Sequence, residues 1–145
     1  MKLRICVIGR PRLLYARAGL TEYARRLERY TRLELLHLKE GTQAQEGQRL
    51  LAAAQGYKRV VLDERGQMVD TQGFKARLEA WEMQAEKGVA FLLGGAEGHG
   101  QPVRDQADWV LALSKLTLQH ELALVVLLEQ LYRVETLKRG EPYHR

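Results

Sequence analysis

Apolar positions along this chain fall into two alternating patterns: short unbroken runs, and longer stretches with a period near 3.6. Leu3-Arg4-Ile5-Cys6-Val7-Ile8 predicts a first strand that ends at Gly9. After Pro11, residues 13–30 predict an amphipathic helix, with Leu20, Tyr23, Ala24 and Leu27 at i, i+3, i+4 and i+7. Residues 33–38 predict a second strand, and residues 42–54 a helix that turns Leu50, Leu51 and Ala54 inward. Residues 59–62 predict a third strand, closed by a turn at Asp63-Glu64-Arg65-Gly66. Asp70 or Thr71 caps the next helix, which runs to about residue 86 before Gly88. The continuous apolar run Val89-Ala90-Phe91-Leu92-Leu93 has the character of a buried parallel strand. A glycine loop over 94–100 follows, then a short helix over 102–107 and a fifth strand over 109–113. The connection 114–118 leads to a long final helix from about His120 to Thr136, and a polar tail over 138–145 ends the chain.

Strands alternating with helices predict an α/β fold, a mainly parallel sheet flanked by helices. The 145 residues fit one domain, and no linker or repeat divides them. Ligands of such sheets bind beyond the carboxyl ends of the strands. Three ends stand out: Leu62, Gly94-Gly95 and Leu113.

Composition excludes several classes. Hydrophobic residues at 46% and charged residues at 28% fit a folded globular chain, not a disordered or collagenous one. The single Cys6 forms no internal disulfide and reads as a small buried hydrophobe, and no Cys/His set has zinc spacing. The expected setting is therefore cytoplasmic, with no metal. No apolar run reaches the ~18 residues of a membrane span, and the charges within the first apolar stretch do not fit a signal peptide.

The net charge of +5 is unevenly spread. Residues 1–40 hold ten Lys/Arg against four Asp/Glu, whereas 41–100 hold seven against eight and 101–145 hold six of each. The excess sits in the first forty residues, with Arg10, Arg25, Arg26 and Arg29 among its members. Such a region suits a phosphate-rich partner such as nucleic acid, and equally a solvated arginine-rich surface.

The glycine loop is a candidate small-molecule site, because glycine lets backbone approach a ligand closely. Its spacing is not G-x-G-x-x-G, and it has no P-loop lysine. In the connection Ser114-Lys115-Leu116-Thr117-Leu118, backbone groups could hold an adenine between leucines; a plain strand-to-helix link is the simpler alternative. Of the four histidines, His37 reads as structural or surface, His99 lies in the glycine loop and His120 opens the last helix. His144 stands one residue from the end, where disorder is the expectation; ordered in a cleft, it could serve as a base. Trp81 and Trp109 read as core or interface residues, and Glu129, Tyr132 and Arg133 share one turn of the last helix.

Four segments occur in order: Gly94-Gly95-Ala96-Glu97-Gly98, Leu113 to His120, Glu129-Gln130-Leu131-Tyr132-Arg133, and Arg139-Gly140-Glu141-Pro142-Tyr143-His144-Arg145. Together with Leu20-Thr21-Glu22-Tyr23-Ala24-Arg25-Arg26-Leu27 and Glu46-Gly47-Gln48-Arg49-Leu50-Leu51, they resemble the ribosomal RNA large subunit methyltransferase H (YbeA-like) family of the SPOUT superfamily. The resemblance spans essentially the whole chain. It implies a single SPOUT domain over 1–145 with a C-terminal trefoil knot, acting as a homodimer. It further implies S-adenosylmethionine as cofactor and N3-methylation of a pseudouridine in the helix 69 loop of 23S rRNA, on the assembled ribosome. Carried over position by position, cofactor contacts fall at Leu62, Gly94, Gly95, Leu113, Ser114, Lys115, Leu116, Thr117 and Leu118, which include the three strand ends. The tail, Tyr143-His144-Arg145, would reach the partner's cofactor region and form the catalytic group with Arg133. Arg10, Arg25, Arg26 and Arg29 would hold rRNA phosphates. The chain departs from the family where Gln119 and Glu121 replace prolines around His120, where Leu124 replaces an arginine, and at Ala96. The rival readings are a non-catalytic RNA- or ribosome-binding module, a nucleotide-dependent α/β enzyme, and the same chemistry at another RNA position.

Overall fold

The computed structural model describes residues 1–144. Five strands form one sheet in the order β2-β1-β4-β3-β5, every pair parallel. They are β1 (Lys2–Ile8), β2 (Leu33–Leu38), β3 (Lys58–Gln67), β4 (Gly88–Leu93) and β5 (Trp109–Leu111). The helices are α1 (Leu14–Glu28), α2 (Gln43–Ala53), α3 (Thr71–Met83), α4 (Gln101–Asp105) and α5 (His120–Lys138). None of them is long and apolar enough to cross a membrane.

The period-two alternation of β1 sorts the layers. Leu3, Ile5 and Val7 face one core with Phe74, Leu78 and Trp81 of α3, Leu27 of α1, and Leu124, Leu127, Leu128 and Leu131 of α5. Cys6 and Ile8 face the other with Leu50 of α2, Ala54, Tyr57 and Val103 of α4. On that second face Arg4 donates to Ala53 O at 2.8 Å and stacks over the Tyr57 ring at 4.2 Å. β4 is buried on both faces along its whole length, which is why its sequence is apolar without alternation. Trp81 and Trp109 are core residues in edge-on contact, as expected. Cys6 is fully buried, and burial pushes its thiol up to about 12.

Helix starts follow local chemistry. Thr42 and Gln45 form a reciprocal capping box at α2, and Asp70, rather than Thr71, caps α3 through Gly73 N at 2.8 Å. The start of α1 is held from a distance: Glu121 Oε1 accepts from the amides of Arg12 and Leu13 at 2.8 and 2.9 Å.

Two expectations are corrected. Residues 63–66 do not close β3. The strand bulges there and resumes, so that Leu111 pairs with both Leu62 and Gln67. The bulge forms because Asp63 Oδ1 captures the Arg65 amide and Nε at 2.9 and 3.0 Å, drawing the chain off the ladder. As a result β5 ends at Leu111 rather than Leu113, since beyond the Ala112 N–Gln67 O bond it has no strand to pair with. The chain rejoins the ladder at Gly66, where a Cβ would stand 2.5 Å from Val110 O. Gly66→Ala should therefore displace β5 and lower stability by about 1–3 kcal/mol, the usual cost of overpacking. Urea denaturation measures it, and an unchanged midpoint would show that the bulge absorbs the methyl group.

Candidate functional site

Beyond the carboxyl ends of β3, β4 and β5 lies a cavity of about 510 Å³, within the range of roughly 300–1,000 Å³ common for small-molecule sites. Leu62, Gly94, Gly95, Leu113, Ser114, Leu116, Thr117 and Leu118 all line it. Lys115, expected with them, does not line it and points to solvent. Five leucines supply apolar wall, and Asp63, Glu64, Arg65, Glu97, Ser114 and Thr117 bring polar side chains to the lining beside the glycine-loop backbone. The glycine loop is tight: Gly98 N donates to Gly95 O at 3.0 Å, Gly98 has φ +70°, and a Cβ on Gly94 would meet Gly98 backbone at 3.0 Å.

A polar brace holds the rim. Arg104 of α4 donates to His99 O at 2.8 Å and lies 3.4 Å from Asp63 Oδ2, while His99 Nε2 bonds Leu92 O at 3.0 Å. Burial works to raise the Asp63 carboxyl, but hydrogen bonds from Arg65 and the charges of Arg65 and Arg104 hold it below the usual carboxylate range. Burial lowers His99, favouring a neutral ring. Thr117 donates its hydroxyl to Glu64, tying the 114–118 connection to the β3 bulge. Asp63, His99 and Arg104 are thus supporting residues, and no spacing signal in the sequence links them. Gln119 caps α5 by accepting from the amides of Glu121 and Leu122, so that helix end is satisfied internally. A smaller cavity of about 260 Å³ adjoins the first along Gly95, Ala96, Glu97 and His120.

The tail residues assemble elsewhere. Tyr143 donates to Glu129 Oε2 at 2.7 Å, Arg133 pairs with that oxygen at 2.7 Å and stacks under the Tyr143 ring at 4.7 Å, and the Tyr132 ring meets Tyr143 edge-on at 4.7 Å. Arg133 Nη1 lies 3.3 Å from His144 Nδ1, which makes Nδ1 the acceptor and puts the neutral ring's proton on Nε2. That is the one polar contact of the exposed His144 among the described residues, and Tyr30 also holds the tail by donating to Glu141 at 2.7 Å. Arg145 lies outside the described residues. His120 at the cavity and Arg133 in the tail cluster are separated along α5 by about 20 Å, at 1.5 Å per helical residue. Within one chain, the two predicted halves of the site do not meet.

The basic residues divide as well. Arg10 stands at the carboxyl end of β1, on the lining of the smaller cavity. Arg25 and Arg29 are exposed at the far end of α1. Arg26 is committed: it pairs with Glu22 at 2.7 Å and stacks over Tyr23 and Tyr132 at 5.4 and 5.3 Å. Arg25 shares Glu22, at 2.9 Å. Tyr132 joins Arg26 to Tyr143, so the arginine end of α1 and the tail form one continuous surface.

Burial works to raise Glu129, but the hydrogen bonds from Arg133 and Tyr143 outweigh it and hold its carboxyl below the usual range. A depressed carboxyl contributes stability above its unfolded value, and that contribution is lost as the pH falls through the folded value. Acidification should free Tyr143 with a midpoint below the ordinary glutamate value of about 4.3. The Tyr143 ring resonances report it by NMR; resonances that stay native until the whole fold melts would show that Glu129 does not hold the tail.

Comparison with known proteins agrees with this architecture. The family described as "Predicted SPOUT methyltransferase" matches residues 1–144. A protein from Thermus thermophilus named ribosomal RNA large subunit methyltransferase H is 55% identical over 145 residues, covering 100% of this chain and 99% of its own. Relatives of the same name from Deinococcus deserti and an Anaeromyxobacter species are 41% and 45% identical, each alignment covering 100% of both chains. A solved structure described as a probable methylase family protein from Haemophilus influenzae shares the fold, with a TM-score of 0.61 at 9% identity, over 99% of this chain and 70% of that one. A strand-end cavity walled by leucines and glycines, in a chain that matches from end to end, places this protein in the SPOUT methyltransferase family, among the ribosomal RNA large subunit methyltransferase H proteins.

Proposed function

We propose that this chain is an S-adenosylmethionine-dependent methyltransferase of large-subunit ribosomal RNA, acting on N3 of a pseudouridine in the helix 69 loop of 23S rRNA. The observation that carries the reading is the placement of eight of the nine expected cofactor residues around one cavity of about 510 Å³. Relatives named for large-subunit rRNA methylation, aligned over the full chain, support the substrate class. The setting is the cytoplasm and the target is the assembled ribosome. The single SPOUT domain over 1–145 is read as carrying the family's C-terminal trefoil knot.

The cavity fits the donor chemically. Leu62, Leu93, Leu113, Leu116 and Leu118 offer apolar walls for an adenine, and the backbone of the glycine loop and of 114–118 offers its hydrogen bonds. The exposed Glu97 at the rim suits a cationic sulfonium. When bound, the donor supplies a methyl group already activated on sulfur, so the chemistry needs no metal.

The chain's own residues must position the base, exclude water and favour the imide anion. Arg133 and Arg145 stabilise negative charge developing on the carbonyls beside N3, and Tyr143 stacks on or hydrogen-bonds to the base. His144 orients the base through Nε2–H; released from Arg133, its Nδ1 accepts the imide proton. The ~20 Å between cavity and tail along α5 supports a homodimer in which each tail serves its partner's cavity. Arg25 and Arg29, beside that tail, then face rRNA phosphates without reading sequence, with Arg10 doing so at the mouth of the smaller cavity and Arg26 supporting the surface.

Methyl transfer from labelled S-adenosylmethionine to ribosomes from cells lacking this enzyme tests the reading, with the label mapped by mass spectrometry. Label is expected on a helix 69 pseudouridine; donor binding with label elsewhere would mean another RNA position, and no donor binding would leave an RNA-binding module. His144→Ala should lower kcat by about 10²–10⁴-fold, the usual range for a proton-transferring group, while donor affinity by calorimetry is unchanged. Wild-type kcat in that variant would remove His144 from the chemistry.

A further inference from the structure

The smaller cavity, of about 260 Å³, plays no part in holding the donor as read above, and its lining has a chemistry of its own. It opens beside Gly9, Arg10, Pro11 and Arg12, and it meets the donor cavity along Gly95, Ala96, Glu97 and His120. Two carboxylates, each 8% exposed, sit in its lining: Glu46 and Glu121. Glu121 is committed to capping α1 through the Arg12 and Leu13 amides. Glu46 is only half used. Its Oε2 accepts from Gly41 N at 3.1 Å, while Oε1 has no hydrogen-bond partner and no cation pairs with the carboxylate among the described residues.

That oxygen faces the boundary between the cavities. It stands 3.2 Å from the point a Cβ on Gly95 would occupy, so the bare glycine leaves its approach open. With no protein donor on it and the cavity in front of it, Oε1 is free to accept an N–H that a ligand brings, and a charged acceptor makes that bond a strong one. The apolar Leu124, 1% exposed, supplies no cation there. Positive charge stands instead at the mouth, on Arg10 and on Arg12, whose side chain is 78% exposed and pairs with Glu40 at 3.2 Å. Acceptors inside and cations outside match a nucleotide whose base enters and whose phosphates stay in solvent.

We propose that this cavity receives the target base and that Glu46 reads it, with Oε1 accepting an N–H that pseudouridine has and uridine lacks. The inference rests on the reading of the chain as a pseudouridine methyltransferase. Uridine's N1 is bonded to ribose and carries no proton. Pseudouridine is joined through carbon, so N1–H remains free beside N3–H. N3 turned across Gly95 toward the donor cavity leaves N1–H for the carboxylate. Glu46 is then a specificity-determining residue, and no proton moves to it.

Glu46→Gln tests this with little change of shape. The amide oxygen can keep the Gly41 bond, while its NH₂ replaces an acceptor by a donor facing N1–H. Wild type and variant are compared on ribosomes carrying the pseudouridine and on ribosomes from cells that leave it as uridine, with donor affinity measured by calorimetry to establish folding. Wild type should prefer pseudouridine, and the variant should lose about ten- to a hundredfold of that preference in kcat/KM, the scale of a charge-assisted hydrogen bond. Glu46→Asp should fall between the two. A variant that folds and keeps the full preference would overturn the role of Glu46 while leaving the proposed function intact. A wild type that methylates neither substrate, or both alike, would overturn the pseudouridine reading and this inference with it.

Discussion

Both cavities depend on one constraint of chain path, the departure of β4 from the direction its neighbours take. β1 and β3 lead into α1 and α3, which pack with the same core layer, whereas β4 leads into α4 on the opposite face. Adjacent parallel strands whose connections leave to opposite sides cannot close the space beyond their ends. β4 lies between β1 and β3, so it opens such a space on each side. The smaller cavity lies at the β1–β4 ends and the larger at the β3–β4–β5 ends. Gly94 and Gly95, where β4 runs out, border the larger cavity, and Gly95 borders both. The apolar sequence of β4 is what permits this, since only a strand buried on both faces can stand in the middle of the sheet.

Legibility from sequence followed the range of the interaction. The run 89–93 and the stripe Leu20, Tyr23, Ala24 and Leu27 are local patterns, and they correctly placed β4 and α1. The end of β3 was misjudged because Asp63-Glu64-Arg65-Gly66 has turn composition in either outcome. Whether it closes a strand or bulges from one is decided by Gln67 finding Leu111, more than forty residues away. The glycine loop announced the cavity, but the brace of Asp63, His99 and Arg104 did not, since each is an ordinary residue until the fold brings them together. The tail shows the same limit. Position alone predicts disorder for His144, and the contacts of the tail with Glu129, Tyr132, Arg133 and Tyr30 have no local sequence signal.

The tail cluster also explains why Arg26 behaves unlike its neighbours. Charge alone groups Arg25, Arg26 and Arg29 as one phosphate-binding patch. In the structure Arg26 is sandwiched against Tyr23 and Tyr132 and paired with Glu22, so its charge is spent on holding α1 to α5. Tyr132 in turn supports Tyr143. The α1 arginines and the tail are therefore mechanically one unit, and a basic patch beside the tail is oriented by the same contacts that orient Tyr143 and His144.

The two ends of the molecule accordingly carry opposite electrostatic tasks. Around the two cavities the carboxylates are Glu40, Glu46, Asp63, Glu64, Glu97 and Glu121, against Arg10, Arg12 and Arg65, a net acidic setting suited to a cation and to ring N–H groups. At the far end of α1 and α5 stand Arg25, Arg29 and Arg133, suited to phosphates and to a developing oxyanion. A single chain holds these environments about 20 Å apart along α5, which keeps Arg25, Arg29 and Arg133 away from the cavity carboxylates. Chemistry that needs both environments at one atom requires the basic end of one chain to meet the acidic end of another. The proposed homodimer would satisfy that demand, because each tail would bring its arginines to the carboxylates around its partner's cavity.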